Sequence, residues 1–273
     1  MNLSSLKNQV VLITGASSGI GFACAKLALK NGAKVILLSR TISSKLDDFL
    51  NLGFPAENYL LIDVDVTDFE TVQAAVSKGL AHYGRIDVLI SNAGLSMRAL
   101  FQNTDLKVLH QLMDVNFWGT VHLVKSVLPS MLQRNAGSIL AISSVAGYKG
   151  LPARTGYSAS KFAINGFIDS LRIELLKTGV HVALVAPGYT NSNIRKTALN
   201  EMGIAQAETP LDENKLMTAE AVAAEIFDVV INQKREKVLT LQGKITYWLR
   251  MLIPSQLDQL VFNKIKMEAN SPF

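Results

Sequence analysis

Short apolar runs rich in Val, Ile and Leu recur along the chain, and each is followed by a longer segment with helical spacing. Such alternation is typical of βαβ units, in which a helix joins consecutive parallel strands. Most runs are continuously apolar, which favours strands covered by helices on both faces. The pattern predicts an α/β fold, a doubly wound Rossmann fold with a seven-stranded parallel sheet, with strands at residues 10–13, 34–38, 59–64, 88–91, 138–142, 180–185 and 237–241.

The segments between the runs predict helices over residues 20–30, 67–82, 106–133, 157–177 and 219–232. Thr67 followed by Glu70 fits a capping box at the start of the second helix. Gly179 follows the fourth helix, a position where glycine commonly ends a helix. The third segment is longer than a typical helix, and we expect Gly119 and Pro129 to bend or shorten it.

Size and composition indicate one domain spanning residues 1–273. Hydrophobic residues make up 49% of the chain, which supplies one large core, while 273 residues are too few for two comfortable domains. The 27 Lys and Arg residues exceed the 22 Asp and Glu residues by five. This modest surplus argues against a nucleic-acid partner.

Disulfide, metal and membrane-spanning classes are disfavoured by residue counts. Cys24 is the single cysteine, so no intrachain disulfide can form and a reducing compartment is expected. The four histidines have neither the spacing of a zinc helix nor a nearby cysteine, so we expect no metal. No window offers about 18 consecutive apolar residues, so the expectation is a cytoplasmic protein, with peripheral membrane attachment left open.

Two segments fall outside the alternation. Residues 189–217 are polar and weakly periodic, and such a long loop predicts a lid over a ligand. Residues 244–273 form a C-terminal extension whose part 244–267 has apolar residues at three- and four-residue spacing around Pro254. Its apolar face has three interpretations: packing over the cleft, contact with another subunit, or attachment to a membrane surface.

The first strand runs directly into the sequence TGASSGIG at residues 14–21 and then into a helix. A glycine-rich turn lets the backbone approach a pyrophosphate, and the free N–H groups and dipole of the helix N-terminus favour negative charge. This arrangement predicts a dinucleotide site. The simpler alternative is a tight strand-to-helix turn that binds no ligand.

Cofactor choice in such folds depends on the residues after the second strand, where an acid holds a ribose 2′-hydroxyl and a base accepts a 2′-phosphate. Ser39 and Arg40 occupy this place, and residues 34–44 contain no Asp or Glu. The sequence therefore favours NADP(H) over NAD(H).

Tyr157 and Lys161 lie four residues apart at the start of a predicted helix, so they share one face. A nearby ammonium favours the phenolate, and we expect it to lower the pKa of the tyrosine and fit it for acid–base work. Taken alone, such a pair is more often two ordinary helix neighbours.

At this point the chain resembles the classical short-chain dehydrogenases/reductases over nearly its whole length. The motifs that carry the resemblance occur in the family's order and at its usual separations: Thr14-Gly15-x-x-x-Gly19-x-Gly21, Asn92-Ala93-Gly94, Asn116, Ser144, Tyr157-x-x-x-Lys161 and Pro187-Gly188.

The resemblance implies four catalytic residues. Tyr157 is expected to be the general acid in carbonyl reduction and the base in the reverse direction, with Ser144 hydrogen-bonded to the same oxygen. Lys161 is expected to bind the nicotinamide ribose and tune Tyr157, and Asn116 to hold a water that links Lys161 to solvent. Ser143 is adjacent, but Ser144 has the family's separation from the tyrosine.

The resemblance also implies the cofactor contacts, with Ser17 and Arg40 near the 2′-phosphate. Ser91 replaces the first Asn of the commonest family motif, and the contact from the lid is either Thr190 or Ser192. The full expected set is Gly15, Ser17, Ser18, Gly19, Ile20, Gly21, Ser39, Arg40, Asp65, Val66, Asn92, Ala93, Gly94, Tyr157, Lys161, Pro187, Gly188 and Thr190.

These features predict an NADP(H)-dependent oxidoreductase, a carbonyl reductase that interconverts a carbonyl and an alcohol on a small-molecule substrate. Leu95, Met97 and Leu151 are candidate walls for an apolar ketone or a steroid-like or lipid-like substrate. The cations Arg154, Arg195 and Lys196 keep an acyl-chain or phosphorylated substrate open.

Two other classes remain as alternatives: a non-catalytic NADP-binding regulatory protein, and a lyase or epimerase that regenerates its nucleotide. Binding alone needs no positioned acid, which favours the enzyme. The resemblance also implies a homodimer or homotetramer built on the helices that contain Asn116 and Tyr157.

Overall fold

All seven apolar runs form strands of one parallel sheet in the computed structural model, which describes residues 3–206 and 216–268 together with Ser271 and Phe273. The predicted fold class is therefore confirmed. The strands are β1 (Val10–Thr14), β2 (Lys34–Ser39), β3 (Tyr59–Asp63), β4 (Val88–Ser91), β5 (Gly137–Ile142), β6 (Val180–Ala186) and β7 (Glu236–Val238).

The order of strands across the sheet is β3-β2-β1-β4-β5-β6-β7. The order reverses between β1 and β4, where Leu12 is in register with Ile36 on one side and with Leu89 on the other. Ligands of open α/β sheets bind outside the carboxyl ends of the strands at such a switch point.

Helices cover both faces of the sheet. They are α1 (Gly19–Lys30), α2 (Leu46–Asn51), α3 (Phe69–Tyr83), α4 (Leu106–Leu112), α5 (Gly119–Arg134), α6 (Thr155–Glu174), α7 (Ala219–Ile231), α8 (Leu241–Leu252) and α9 (Pro254–Lys266). Val11 and Ile13 point to the core under α1 and α7, whereas Val10 and Leu12 point to the core under α3, α5 and α6. Burial on both faces explains why the strands read as continuous apolar runs.

The predicted helix over residues 106–133 is divided into three parts. Between α4 and α5 lies a π-helical segment, Met113–Trp118, which contains the fully buried Asn116. Pro129 lies inside α5 without ending it. Gly119 is required by close packing, because a Cβ there would lie 2.7 Å from Cγ2 of Val66.

Two predicted helix ends were wrong. Asp68, and not Thr67, caps α3, since its Oδ1 accepts hydrogen bonds from the backbone N–H groups of Glu70 (3.0 Å) and Thr71 (3.2 Å). Gly179 does not end a helix, because α6 stops at Glu174. The glycine instead passes close to the α5–β5 turn, where a Cβ would lie 1.9 Å from the backbone oxygen of Asn135.

The C-terminal extension forms two helices that pack beside the carboxyl end of the sheet. The last strand is Glu236–Val238, and not residues 237–241, because Leu241 already begins α8. Leu257 and Ile265 are the buried apolar residues of α9. No helix in the described part of the chain combines the length and the hydropathy that crossing a membrane requires.

Of the predicted lid, residues 189–206, 216 and 217 are described, and 207–215 lie outside the described residues. Short bridges join Met97 to Leu199 and Thr190 to Met217. These bridges tie the described lid residues to the loop after β4 and to the approach to α7.

Candidate active site

A cleft of about 450 Å³ opens at the carboxyl ends of the strands. Its floor comes from the segments after β1, β4, β5 and β6, and one wall comes from the start of α6. The described lid residues and the helices α8 and α9 complete the opposite wall.

The glycine turn after β1 forms one end of the cleft. Gly15 and Gly19 have φ of +63° and +55°, backbone conformations that favour glycine. A Cβ on Gly21 would lie 2.3 Å from the backbone oxygen of Gly15, so this glycine lets α1 pack against the turn. The side chain of Asn92 donates a 2.9 Å hydrogen bond to the backbone oxygen of Thr14, which joins the end of β4 to the turn.

The N-terminus of α1 fits a phosphate group. The helix begins at Gly19, its N-cap Ser18 makes no side-chain capping bond, and its first turn contains no acidic residue. The first N–H groups of a helix lack intrahelical partners and carry partial positive charge. The residues present therefore fit a dinucleotide pyrophosphate.

The end of β2 offers groups that suit the ribose of such a cofactor. The Ser39 hydroxyl is buried and has no hydrogen-bond partner among the described residues. Arg40 beside it is exposed, borders the cleft and makes no ion pair within the described part of the chain. Asp63 on β3 is occupied by the backbone N–H and hydroxyl of Ser43, which lower the pKa of its carboxyl group.

The carboxyl end of β5 and the first turn of α6 bring Ser144 and Tyr157 together. Both side chains line the cleft, and the Ser144 hydroxyl is close enough to Tyr157 to lower the pKa of its phenol by hydrogen bonding. Ser144 also accepts the backbone N–H of Ala146 at 3.1 Å. Ser143 points elsewhere and donates to the side-chain oxygen of Asn165 at 2.5 Å, in line with the choice of Ser144 from the sequence.

Burial dominates the electrostatics of the tyrosine. It raises the pKa of Tyr157, while the hydrogen bond with Ser144 and the charge of Arg154 offset part of that rise. The expectation that Lys161 lowers this pKa was wrong. The lysine ammonium donates to the backbone oxygen of Ile142 at 2.9 Å and lies 5.8 Å from the ring centre of Tyr157.

Lys161 is itself strongly affected by its surroundings, since burial lowers its pKa to about 8. It lies next to Gly94, where a Cβ would come within 3.6 Å of its Nζ. A glycine at this position therefore leaves space above the ammonium, on the cleft side.

Asn116 is fully buried behind the cleft and does not line it. Its Oδ1 accepts the backbone N–H of Leu95 (2.7 Å), and its Nδ2 donates to the backbone oxygen of Leu95 (3.0 Å) and to the hydroxyl of Ser160 (2.8 Å). The side chain thus fixes the loop after β4 to α6. Its role in holding a water remains a prediction.

The cofactor contacts expected from the sequence gather around this cleft, except Gly21, which lies beneath the turn. The predicted site residues lining it are Gly15, Ser17, Ser18, Gly19, Ile20, Ser39, Arg40, Asp65, Val66, Asn92, Ala93, Gly94, Ser144, Tyr157, Lys161, Pro187, Gly188, Thr190 and Ser192. Both candidates for the lid contact, Thr190 and Ser192, are among them. The described residues contain no cluster of three His, Cys, Asp or Glu side chains arranged for a metal.

Sequence reasoning missed the contributions of α8 and α9. Gln242, Gly243 and Thr246 of α8 line the cleft, as do Val261 and Ile265 of α9. The apolar spacing indicated two amphipathic segments, but nothing local to them specified which side faces the cleft. Packing over the cleft, one of the three interpretations of the extension, is what the structure shows.

Comparison with known proteins identifies the family. Residues 9–203 match the model of the short chain dehydrogenases. The chain is 33% identical to dehydrogenase/reductase SDR family member 7B of Mus musculus, over 97% of this chain and 84% of the mouse protein. It is 36% identical to the SDR family protein 7-like of Drosophila melanogaster, over 92% of this chain and 79% of the fly protein.

Solved structures agree. A short-chain dehydrogenase from Streptomyces avermitilis superposes with a TM-score of 0.80 at 27% identity, covering 95% of this chain and 98% of the other. A short-chain dehydrogenase/reductase from Burkholderia phymatum in complex with NAD has a TM-score of 0.81 at 22% identity, covering 92% and 95%, a likeness that shows the fold alone. The chain therefore belongs to the short-chain dehydrogenase family, as the resemblance of its motifs implied.

Proposed function

We propose that this oxidoreductase uses NADP(H) to interconvert a carbonyl and an alcohol on an apolar substrate. The observation that carries the proposal is the placing of the Ser144 and Tyr157 side chains together in a cleft that fits a dinucleotide. When bound, the nicotinamide supplies or accepts the hydride.

The two hydroxyls serve the carbonyl oxygen. Because burial raises the pKa of Tyr157, its phenol is protonated at neutral pH and can deliver the proton that the oxygen needs as the carbonyl carbon gains hydride. Ser144 donates a second hydrogen bond to the same oxygen and stabilises its developing negative charge. In alcohol oxidation the proton returns to Tyr157.

Lys161 and Asn116 support this pair. The ammonium of Lys161 lies beside Gly94 at the cleft, in a place to bind the hydroxyls of the nicotinamide ribose. Asn116 holds the backbone of Leu95 and the hydroxyl of Ser160, which fixes the loop after β4 against the helix that carries Tyr157.

Arg40 supports the choice of NADP(H), together with the neighbouring Ser39 and Ser17. Among the described residues, the guanidinium has no ion pair and the buried Ser39 hydroxyl beside it has no hydrogen bond, so the two groups suit a 2′-phosphate. The acid that would bind a free 2′-hydroxyl is missing at the end of β2, and Asp63 is occupied by Ser43.

Arg40→Asp tests this assignment. We expect the substitution to weaken NADPH binding by about 10- to 100-fold, because it removes a charge-assisted bond and adds repulsion, while NADH binding changes little. Fluorescence titration with both cofactors measures the ratio of affinities. An unchanged ratio would contradict the NADP(H) assignment.

Apolar side chains at the other end of the cleft support an apolar substrate. Leu95, Leu151 and Ile194 line this end together with Val261 and Ile265. Met97, another candidate wall, is buried behind it. Cofactor consumption with ketones of increasing length, from butan-2-one to decan-2-one, should rise in kcat/KM with chain length. Firm cofactor binding without consumption across the series would favour the non-catalytic alternative.

The outer face of α8 supports a further proposal, peripheral attachment to an anionic membrane. Only Gly243 and Thr246 of this helix are buried, whereas Ile245 is 48% and Trp248 60% exposed. The helix also contains basic residues, Lys244 among them, and no acidic ones. An apolar face combined with positive charge is typical of helices that lie on anionic lipid.

Vesicle flotation tests the membrane proposal. The protein should float with vesicles of phosphatidylcholine and phosphatidylglycerol and much less with phosphatidylcholine alone. Trp248→Asp should lower the bound fraction about tenfold, because it places a charge in the apolar face. Trp118→Asp, the same change at an exposed site on another surface, is the matched control. Equal flotation of the two variants would refute the role of α8.

A further inference from the structure

The substrate end of the cleft contains a buried cation, Arg154. It is the N-cap residue of α6 and precedes Tyr157 by three residues. Its side chain lines the cleft, although the residue is only 9% exposed. Arg154 therefore lies between the protein interior and the space in front of the catalytic tyrosine.

The guanidinium of Arg154 has no ion pair and no hydrogen bond to any described residue. Its one close partner is the ring of Tyr189, whose centre is 5.9 Å away. Other arginines are satisfied by oxygen atoms: Arg172 binds Asp169 at 2.7 Å, and Arg250 binds the backbone oxygen of Tyr148 at 3.2 Å. A guanidinium carries five N–H donors, so Arg154 has donors available to an acceptor that enters the cleft.

Two further described cations lie near Arg154. Lys264 lies over the same Tyr189 ring at 5.3 Å, and the buried Arg195 lines this end of the cleft and donates to the backbone oxygen of Thr190. Glu268, a carboxylate near Tyr189, forms an ion pair with Arg98 at 3.4 Å.

Among the described residues that line the cleft, Asp65 is the single carboxylate, and it lies at the opposite, β3 end. It is moreover engaged by the backbone N–H and the hydroxyl of Thr67, at 3.0 and 2.8 Å. Among the described residues that line the substrate end, cations therefore outnumber carboxylates, and the N-terminus of α6 adds partial positive charge.

We infer that Arg154 binds an anionic group, a carboxylate or a phosphate, on the carbonyl substrate. Residues three apart on a helix are neighbours, so this group would lie close to the carbonyl held by Tyr157, while the apolar wall takes a hydrocarbon chain. The inference rests on the proposed function and deepens it: the substrate is an amphiphilic ketone or alcohol with an acidic end. Of the substrates left open by the sequence, this favours the acyl-chain or phosphorylated class.

Ligand binding tests the inference without any need for turnover. Octanoate, octyl phosphate and octan-1-ol share one chain length and differ in the head group, and each is titrated by calorimetry into the protein saturated with NADPH. We expect one or both anions to bind at least tenfold more tightly than octan-1-ol. The better of the two anions identifies the acidic group as carboxylate or phosphate.

Arg154→Gln should abolish the preference for the anions and leave octan-1-ol binding nearly unchanged. Arg154→Lys, which keeps the charge but loses the planar arrangement of N–H donors, should retain part of the preference for the anions. The control Lys125→Gln removes the same charge from an exposed site on α5 and should retain the full preference. Thermal unfolding with NADPH checks that each variant is folded.

The inference is overturned if the wild type binds octan-1-ol as tightly as both anions, or if Arg154→Gln keeps the preference. Either result would mean that Arg154 acts in the site only through its effect on the pKa of Tyr157. Reduction of octan-2-one, a neutral ketone, is assayed separately, so that a failure of the proposed reductase activity is distinguished from a failure of anion binding.

Discussion

Helices α6 and α8 both line the cleft, but they present opposite faces to the protein. α6 buries its catalytic and apolar side chains together, including Tyr157, Lys161 and Ile164. α8 buries Gly243 and Thr246 and turns its large apolar residues, Leu241, Ile245, Trp248, Met251 and Leu252, towards solvent. Apolar periodicity alone therefore shows that a helix is amphipathic, and not which of its faces the fold covers.

The difference follows from position in the sheet. α6 lies between β5 and β6 in the chain, so the central sheet covers its apolar face. α8 follows β7, the last edge strand, and its N-cap residue Thr240 has a φ of +64°, which turns the chain out of the sheet. The buried residues of α8 are small or polar, because Gly243 packs closely against Val145, and Tyr247 is the aromatic side chain of this helix that packs inward, 5.0 Å from the ring of Tyr148.

The largest contrast is expected from the same substitution at an isoleucine of each helix. Ile164→Asp should cost about 5 kcal/mol of the free energy of unfolding or more, because it creates a cavity and buries an unpaired charge in a residue that is 1% exposed. Ile245→Asp should cost less than about 0.5 kcal/mol, as for an exposed site. Urea denaturation measures both, and similar losses would show that the outer face of α8 is covered.

Removal of one hydroxyl from each helix compares their chemical contributions. Tyr157→Phe should lower kcat/KM about 10²- to 10⁴-fold, because it removes the general acid, while cofactor affinity stays nearly the same. Thr246→Val removes a hydroxyl that also lines the cleft and should change kcat/KM less than about threefold. Steady-state kinetics with the best ketone measures both, and most of the turnover surviving in Tyr157→Phe would contradict its role.

The smallest contrast concerns two lysines. Burial lowers the pKa of Lys161 to about 8, so holding its charge opposes folding at pH 7. Lys161→Met should therefore raise the free energy of unfolding by about 2 kcal/mol at pH 7. The substitution removes the cost of burying the charge, but it also removes one hydrogen bond. It should impair catalysis. Lys244→Met, on the exposed face of α8, should have little effect.

The contribution of Lys161 to the stability of the wild type changes with pH in a defined direction. The unfolded chain keeps the Lys161 proton up to about pH 10.5, whereas the folded protein releases it near pH 8. Wild-type stability therefore gains from this group as the pH rises from 8 to 10.5, and the advantage of Lys161→Met shrinks over the same range. Denaturation at pH 7 and pH 10 tests this, and a destabilised Lys161→Met at pH 7 would contradict it.

The strands, the glycine turn and the positions of Tyr157 and Ser144 could be predicted because their signals are local. Continuous apolar runs and short motifs at fixed spacing require no knowledge of distant residues. The prediction of the N-cap of α3 was wrong because two suitable residues, Thr67 and Asp68, are adjacent. Only the backbone geometry decides which of them caps the helix.

Properties that depend on packing could not be predicted. The direction of the pKa shift of Tyr157 depends on burial, which outweighs the opposing effects of Ser144 and Arg154. That Arg154 has no acceptor among the described residues depends on which carboxylates the fold brings near it, and Glu268 is paired with Arg98. These tertiary properties are the ones from which the chemistry of the site is inferred.

Hydride transfer is the central claim, and isotope labelling tests it most directly. The protein is incubated with NADPH carrying deuterium on both hydrogens at C4 of the nicotinamide and with the best ketone found. The account predicts one deuterium on the carbinol carbon of the alcohol, one alcohol formed for each NADPH oxidised, and at least a hundredfold slower labelling in Tyr157→Phe. Product without deuterium, or NADPH that stays bound and unoxidised while the substrate changes, would contradict the account.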